Sequence, residues 1–151
     1  DPIIGTTTKE AVELLMNDDE TEAIVIQNGD EKANFNGLNF KLNTKAAENI
    51  SFKPQKGIEN FDFNKVSFPL EIRKWQHGDW MTPLGMKGKK KISDILIDSK
   101  TSRFEKEKAV VICSANQIIC LLGFRIDERF QAKAESERAI LFEINGERDT
   151  P

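Results

Sequence analysis

The chain has 151 residues, of which 38% are hydrophobic and 31% are charged, with a formal net charge of −3. This composition is typical of a globular protein with one well-buried domain or two small ones. No apolar stretch approaches the ~20 residues of a membrane-spanning helix, and no signal peptide is visible, so we expect a cytoplasmic protein without a membrane partner.

The first part of the chain is predicted to contain one short helix followed by hairpins. Thr8 can cap a helix over residues 9–16. Asn-Gly pairs at residues 28–29 and 36–37 indicate tight hairpin turns, because both residue types tolerate positive φ. The strands that we expect here cover residues 22–27, 32–35, 38–42 and 50–53.

Residues 54–60 read as a connection, because they contain a proline, a glycine and few apolar anchors. We therefore expect a first subdomain over residues 1–58, built from a helix and hairpins, and a second domain over residues 59–146.

The second part carries clearer patterns. Residues 69–75 alternate as a half-buried strand, and residues 92–97 place apolar side chains on one helical stripe. Ser102 and Glu105 have capping-box spacing for another short helix. Residues 109–113 and 117–122 predict a hairpin buried on both faces, and residues 138–144 a final strand. The predicted fold class is α+β: a small β-rich mixed domain with short helices, preceded by the helix-and-hairpin region.

Charge is distributed unevenly along the chain. Residues 1–69 have a net charge of −5, whereas residues 70–130 have a net charge of +4. Within the basic part, Lys87, Lys89, Lys90 and Lys91 crowd a loop that contains Gly85 and Gly88. Glycine lets backbone N–H groups approach a partner and lysine supplies charge, which together suit an anionic ligand. A solvated, mobile lysine loop is the alternative, and composition does not decide between them.

Further cations lie on neighbouring predicted elements and complete a set of candidate phosphate contacts. Lysine and arginine suit phosphate positioning more than the reading of bases. The other candidates are Arg73, Lys74, Lys100, Arg103, Lys106, Arg125 and Arg129.

The sequence contains few candidate catalytic residues. His77 is the single histidine, and the sequence offers no nucleophile that would match it. Asp94 and Asp98 are best explained as part of a solvated helix face or as partners of Lys90 and Lys91. No zinc spacing and no Walker pattern occurs, so we expect no catalytic residue, metal ligand or bound cofactor in this chain. Cys113 and Cys120 are expected to be reduced core residues.

Two tryptophans flank the turn that contains His77. Trp75 and Trp80 could stack on nucleobases, as in single-strand binders, but closing a small core is the favoured interpretation.

Four segments in a fixed order carry a specific resemblance. Residues 69–79 read Pro-Leu-Glu-Ile-Arg-Lys-Trp-Gln-His-Gly-Asp, and residues 83–90 read Pro-Leu-Gly-Met-Lys-Gly-Lys-Lys. Residues 92–100 and then 123–130, Gly-Phe-Arg-Ile-Asp-Glu-Arg-Phe, follow. Together they resemble the C-terminal domain of bacterial tRNA(Ile)-lysidine synthetases over residues 60–145, with a looser likeness over residues 1–55.

The resemblance implies the docking part of a ligase. In that family ATP, with Mg²⁺, adenylates the wobble cytidine of an isoleucine tRNA with a CAU anticodon, and the amine of lysine then displaces AMP. The catalytic PP-loop signature, Ser-Gly-Gly-x-Asp-Ser, does not occur in this chain. We therefore expect a non-catalytic fragment of a longer enzyme that grips the acceptor-stem side of tRNA.

The resemblance also implies a fold akin to a domain of the phenylalanyl-tRNA synthetase β subunit. One departure is that Trp80-Met81 stands where an arginine and an aromatic residue are expected, so one basic contact is either missing or supplied elsewhere, for example by Lys74. A homodimer would form through the parent protein. The alternative function is a protein-interaction or dimerisation module without RNA contact, and a small independent enzyme using His77 or Asp94 is the weakest interpretation.

Overall fold

The computed structural model describes residues 21–100 and 102–146, and its secondary structure is strand-rich with short helices. The strands are β1 (Ala23–Ile26), β2 (Lys32–Phe35), β3 (Leu38–Ala46), β4 (Ile58–Asp62), β5 (Leu70–Lys74), β6 (Trp80–Met81), β7 (Lys90–Lys91), β8 (Val110–Ser114), β9 (Gln117–Leu121), β10 (Arg125–Ile126) and β11 (Arg138–Gly146). The helices are α1 (Ile92–Asp98) and α2 (Arg103–Glu107), with a 3-10 turn at Ala47–Asn49. The predicted α+β class is confirmed, and the helix predicted over residues 9–16 lies outside the described residues.

The strands form two antiparallel sheets and one short hairpin. The first sheet has the order β1-β5-β8-β9-β10, and the second has the order β2-β3-β11-β4. Strands β6 and β7 pair with each other. No helix in the described ranges is long and apolar enough to cross a membrane.

Strands β8 and β9 of the first sheet are buried on both faces, which explains their continuous apolar runs. One face, with Ile72 and Ile112, joins the phenylalanines of the second sheet in a single core. Phe142 contacts Phe61 edge-on there, with ring centroids 5.5 Å apart. The other face, with Val111 and Leu121, packs under α1 and Met81. The molecule is therefore layered as helix, sheet and sheet.

Most predicted elements are observed close to their predicted positions. The strands predicted over residues 32–35 and 69–75 and the helix over residues 92–97 are confirmed within a residue or two. In the hairpin between β8 and β9, Ala115 and Asn116 both have positive φ. Strand β3 is longer than predicted, because its last residues pair with the start of β11.

Three predictions are wrong. The hairpin expected at residues 28–29 does not form, because β1 pairs with β5 in the first sheet and β2 pairs with β3 in the second. Residues 50–53 form no strand. Residues 54–60, predicted as a connection, contain most of β4, which pairs with β11 from Ile58↔Glu143 to Asp62↔Ala139. This strand depends on a partner about eighty residues away, so tertiary pairing overrides a weak local pattern.

Both sheets contain strands from either side of residue 58. Strand β1 pairs with β5, and β3 pairs with β11. The two predicted subdomains thus share their sheets and one hydrophobic core, and the division between them stays a prediction.

Candidate nucleic-acid interface

The lysine-rich segment is the loop and second strand of a β-hairpin. Trp80 faces Lys91 across the β6–β7 pair, and Met81 faces Lys90. Met81 is fully buried under α1, which anchors the hairpin to the core. Since neighbouring residues of a strand point to opposite faces, Trp80 is directed away from that core.

The first half of the hairpin loop is held by the turn that follows β10. The backbone N–H of Leu84 donates to the carbonyl of Ile126 at 3.0 Å. The N–H of Gly85, whose φ is +86°, donates to Glu128 Oε1 at 3.0 Å. Glu128 N–H in turn donates to the Thr82 carbonyl. These bonds fix the base from which the lysines project.

Arg129 is oriented by a buried carboxylate. Asp127 is fully buried, and its Oδ1 and Oδ2 accept from Arg129 Nε at 3.0 Å and Nη2 at 2.8 Å. Asp127 Oδ2 also accepts from the N–H of Thr82 at 2.9 Å. The hydrogen bond to Asp127 raises the pKa of Arg129, against the effect of desolvation, so the guanidinium stays charged.

Arg73 is oriented in the same way by a second acid. Its Nη1 and Nη2 donate to the two oxygens of Asp79 at 3.0 and 3.1 Å, and Nη1 also donates to the Lys74 carbonyl. The hydrogen bond to Asp79 is the main cause that raises the pKa of Arg73. In β5, Arg73 pairs with Val111 and so points to the helix side of the first sheet.

Two cations meet at the Trp80 ring. Lys89 Nζ lies 4.3 Å from the ring centroid, and Arg129 Cζ lies 5.5 Å from it. Both distances are within the range of a cation–π contact. Trp80 therefore belongs to a basic surface. Trp75 instead packs against the core under α1, as expected.

A small cavity lies between the two arginines. It has a volume of about 100 Å³. Its lining includes Arg73, Gly78, Asp79, Trp80, Asn116 and Arg129. We use the name basic cluster for the set of Arg73, Trp80, Lys89, Lys91 and Arg129.

Other predicted contacts lie apart from the basic cluster or have partners of their own. Lys90 bonds to Asp98, as the sequence indicated, and Arg103 lies 3.4 Å from Glu107. Lys87 is exposed on the hairpin loop, and Lys74 ends β5. Within the described ranges no cation–π contact joins Trp80 to the remaining predicted residues, which are Lys100, Lys106 and Arg125.

Sequence reasoning missed the acids that organise the cluster. Asp79, Asp127 and Glu128 orient the two arginines and the loop. The spacing of Asp127 to Arg129, two residues apart in a turn, is a local signal that could have identified one pair. The pairing of Asp79 with Arg73 depends on the turn between them, which the sequence does not specify.

The described residues offer little catalytic chemistry. They contain no group of three or more His, Cys, Asp or Glu side chains able to hold a metal ion. The His77 ring stands edge-on to Trp75, with centroids 5.0 Å apart. Cys113 and Cys120 are free and buried, as predicted, and they lie in different hydrophobic clusters.

A larger cavity of about 320 Å³ lies beside α2 and shares no lining residue with the smaller one. Phe104, Val110, Leu122 and Phe124 give it an apolar lining, and Phe104 is 64% exposed. Lys108 Nζ lies 4.4 Å from the Phe104 ring centroid.

Comparisons with known proteins agree with the resemblance seen in the sequence. Residues 70–142 match the family described as the TilS substrate C-terminal domain. A tRNA(Ile)-lysidine synthase from Parabacteroides distasonis is 42% identical over 91 residues, and one from Bacteroides thetaiotaomicron is 44% identical over 90. Each match covers 60% of this chain and 21% of the relative, so the chain matches about a fifth of the length of these relatives.

Solved structures show the same fold. A crystal structure of a TilS C-terminal domain superposes with a TM-score of 0.64 at 22% identity, covering 82% of this chain and 91% of that one. An N-terminal fragment of the phenylalanyl-tRNA synthetase β subunit from Pyrococcus horikoshii gives a TM-score of 0.51 at 12% identity, covering 91% of this chain and 32% of that one. Residues 70–142 of this chain are therefore similar to TilS substrate C-terminal domains, and the chain has the fold of a solved TilS C-terminal domain.

Proposed function

We propose that this chain is the tRNA-docking part of a cytoplasmic tRNA(Ile)-lysidine synthetase. It would hold the acceptor-stem side of an isoleucine tRNA with a CAU anticodon, while another region of the parent protein converts the wobble cytidine to lysidine with lysine, ATP and Mg²⁺. The relatives named tRNA(Ile)-lysidine synthase, of which this chain matches about a fifth, support the assignment of docking and chemistry to different regions of the parent protein.

The observation that carries the proposal is the convergence of Arg73, Lys89 and Arg129 around Trp80 at the base of a lysine-rich hairpin. A double-stranded RNA stem presents phosphate ridges, and proteins recognise it mainly by shape and charge. The protein as a whole is acidic, so binding requires a local concentration of positive charge. Screening restricts the reach of each charge to ~8 Å at physiological salt, which makes such clustering necessary.

Removal of the hairpin charge tests the proposal. The variant replaces Lys87, Lys89, Lys90 and Lys91 by alanine, and its tRNA affinity is measured over a range of salt concentrations. If the four lysines neutralise four phosphates, the slope of log K against log salt should become less steep by ~3, since each contact contributes ~0.7–0.9. Affinity at low salt should fall by more than tenfold.

A matched control removes the same charge from the second sheet and its border. Lys32, Lys41, Lys45 and Lys56 are all exposed and lie outside the hairpin. Their replacement by alanine should leave the salt slope nearly unchanged. Equal loss in the two variants would indicate non-specific charge attraction and would remove the hairpin from the binding site.

The dimerisation alternative makes a different prediction. If the chain is a dimerisation module, light scattering after size exclusion should show a dimer that persists on dilution. Addition of tRNA should not change its mass.

A further inference from the structure

We infer that the small cavity between Arg73, Trp80 and Arg129 binds one phosphate group of the RNA backbone. The inference rests on the proposed function and deepens it. The hairpin lysines would supply long-range charge, whereas this cavity would supply one directed contact that fixes the position of the RNA.

Both arginines retain donors for a ligand. A guanidinium has five N–H groups. Arg129 uses Nε and Nη2 on Asp127, which leaves the two N–H groups of Nη1 and one of Nη2. Arg73 uses both N–H groups of Nη1 on Asp79 and the Lys74 carbonyl, and one N–H of Nη2 on Asp79. This leaves one N–H of Nη2 and the Nε N–H, and Nε lies 3.8 Å from Glu71 Oε1. The acids thus orient the two guanidinium groups without using all of their N–H donors.

The side chains that line the cavity carry more positive than negative charge. Asp79 is the one carboxylate in the lining, and both of its oxygens are engaged by Arg73. Its Oδ2 also accepts from the N–H of Gln76 at 2.6 Å. The cations at the cavity are the two guanidinium groups, and the Lys89 ammonium lies over the Trp80 ring. Asp127, which pairs with Arg129, and Glu71, which lies 3.8 Å from Arg73 Nε, are outside the lining.

The size and shape select a phosphate group over a whole nucleotide. The cavity volume of about 100 Å³ is below the ~300–1,000 Å³ of ordinary small-molecule pockets. Arg129 keeps the Nη1–Nη2 edge of its planar guanidinium, which matches the spacing of two phosphate oxygens in a way that lysine cannot. Arg73 adds an N–H of Nη2 from the other side of the lining. Asn116 and Gln117 add amide groups to the lining.

Trp80 provides a direct probe. In a Trp75→Phe background, Trp80 is the one remaining tryptophan of the chain. Inorganic phosphate is titrated at constant ionic strength, with chloride as the balancing anion, while Trp80 emission is recorded. We expect a saturable change that is absent in Arg129→Gln and much weaker in Arg129→Lys. Urea unfolding of each variant establishes that it is folded, and Arg129→Lys retains a cation beside Asp127 if Arg129→Gln is unstable.

Binding of tRNA by the same variants in the unmodified background separates the two roles. Arg129→Gln should make the slope of log K against log salt less steep by ~0.7–0.9, equivalent to one phosphate. Arg129→Lys should retain the slope but lose affinity about fivefold or more. The absence of a saturable phosphate response, or unchanged tRNA affinity in Arg129→Lys, would overturn the inference.

Failure of the inference and failure of the proposed function are distinguishable. If the hairpin variant loses tRNA while Arg129→Lys binds normally, the docking function stands and the phosphate site is wrong. If the unmodified protein fails to bind tRNA, the proposed function and the RNA part of this inference both fall.

Discussion

The carboxylate of Asp127 is completely buried, yet it holds the guanidinium of Arg129, whose side chain is 39% exposed, through two hydrogen bonds. The same carboxylate accepts the backbone N–H of Thr82. One acid therefore links the turn after β10 to the lysine hairpin and orients a cation of the basic cluster. If the basic cluster binds tRNA as proposed, stability and binding should be coupled at this residue.

Replacement of Asp127 tests this coupling. Asp127→Ala leaves the Thr82 N–H without its acceptor and removes the partner of Arg129, so we expect the free energy of unfolding to fall by ~2–3 kcal/mol. Asp127→Asn keeps an acceptor oxygen and should cost less. Urea unfolding with comparison of the midpoints at constant m-value measures both. A midpoint for Asp127→Ala equal to that of the unmodified protein would show that the contact does not stabilise the fold.

The ring of Trp80 should control affinity through the cations that it positions. Trp80→Leu removes the contacts to Lys89 and Arg129, each worth ~0.5–1 kcal/mol at an exposed site, so tRNA binding should weaken about fivefold. Trp80→Phe keeps an aromatic face and should retain most of the affinity.

The salt slope distinguishes positioning from simple loss of structure. Neither Trp80 variant changes a charge, so the slope of log K against log salt should stay the same in both. A reduced slope in Trp80→Leu would mean that phosphate contacts are lost, and equal affinity of the Leu and Phe variants would remove the aromatic ring from the explanation.

The elements predicted well from the sequence are those specified by near neighbours. Ser102 lies directly before α2, and its spacing to Glu105 was sufficient to locate the helix start. The hairpin turn at Ala115 and Asn116 was likewise evident between two apolar runs. Strand β4 was missed because its polar sequence becomes a strand only beside β11.

In the candidate site, too, the sequence predicted what is local and missed what depends on distant residues. The sequence identified the cations because their charge is visible in the residue type, but it could not tell which of them converge. Arg73 and Arg129 are 56 positions apart in the sequence and line one cavity, although β8 and β9 lie between β5 and β10 in the sheet. Arg103 was an equal candidate from the sequence and pairs with Glu107 on its own helix instead.

The N-terminal cap of α2 should be measurable. Ser102 Oγ accepts from the N–H of Glu105 at 3.1 Å, and α2 in turn supplies the Lys106 carbonyl that accepts from Trp75 Nε1 at 2.6 Å. Ser102→Ala should cost ~0.5–2 kcal/mol, whereas Ser102→Gly should cost only a few tenths. Hydrogen exchange at the Glu105 amide would show the local effect, and equal protection in all three proteins would contradict the assigned cap.

Alkaline pH should destabilise the protein through Cys113. Burial in β8 raises the pKa of this thiol from 9.0 to about 11, because the thiolate is poorly solvated there. Since the folded protein holds this proton more tightly than the unfolded chain, the associated stability is present below pH 9 and is lost as the pH rises from about 9 through about 11. The loss attributable to Cys113 should be on the order of 2 kcal/mol. Urea unfolding from pH 8 to pH 11 measures it, with Cys113→Ala as the control that keeps Cys120 and all lysines. Between pH 9 and 11 the free energy of unfolding should fall more steeply for the unmodified protein than for Cys113→Ala. Parallel curves would contradict the role of the thiol.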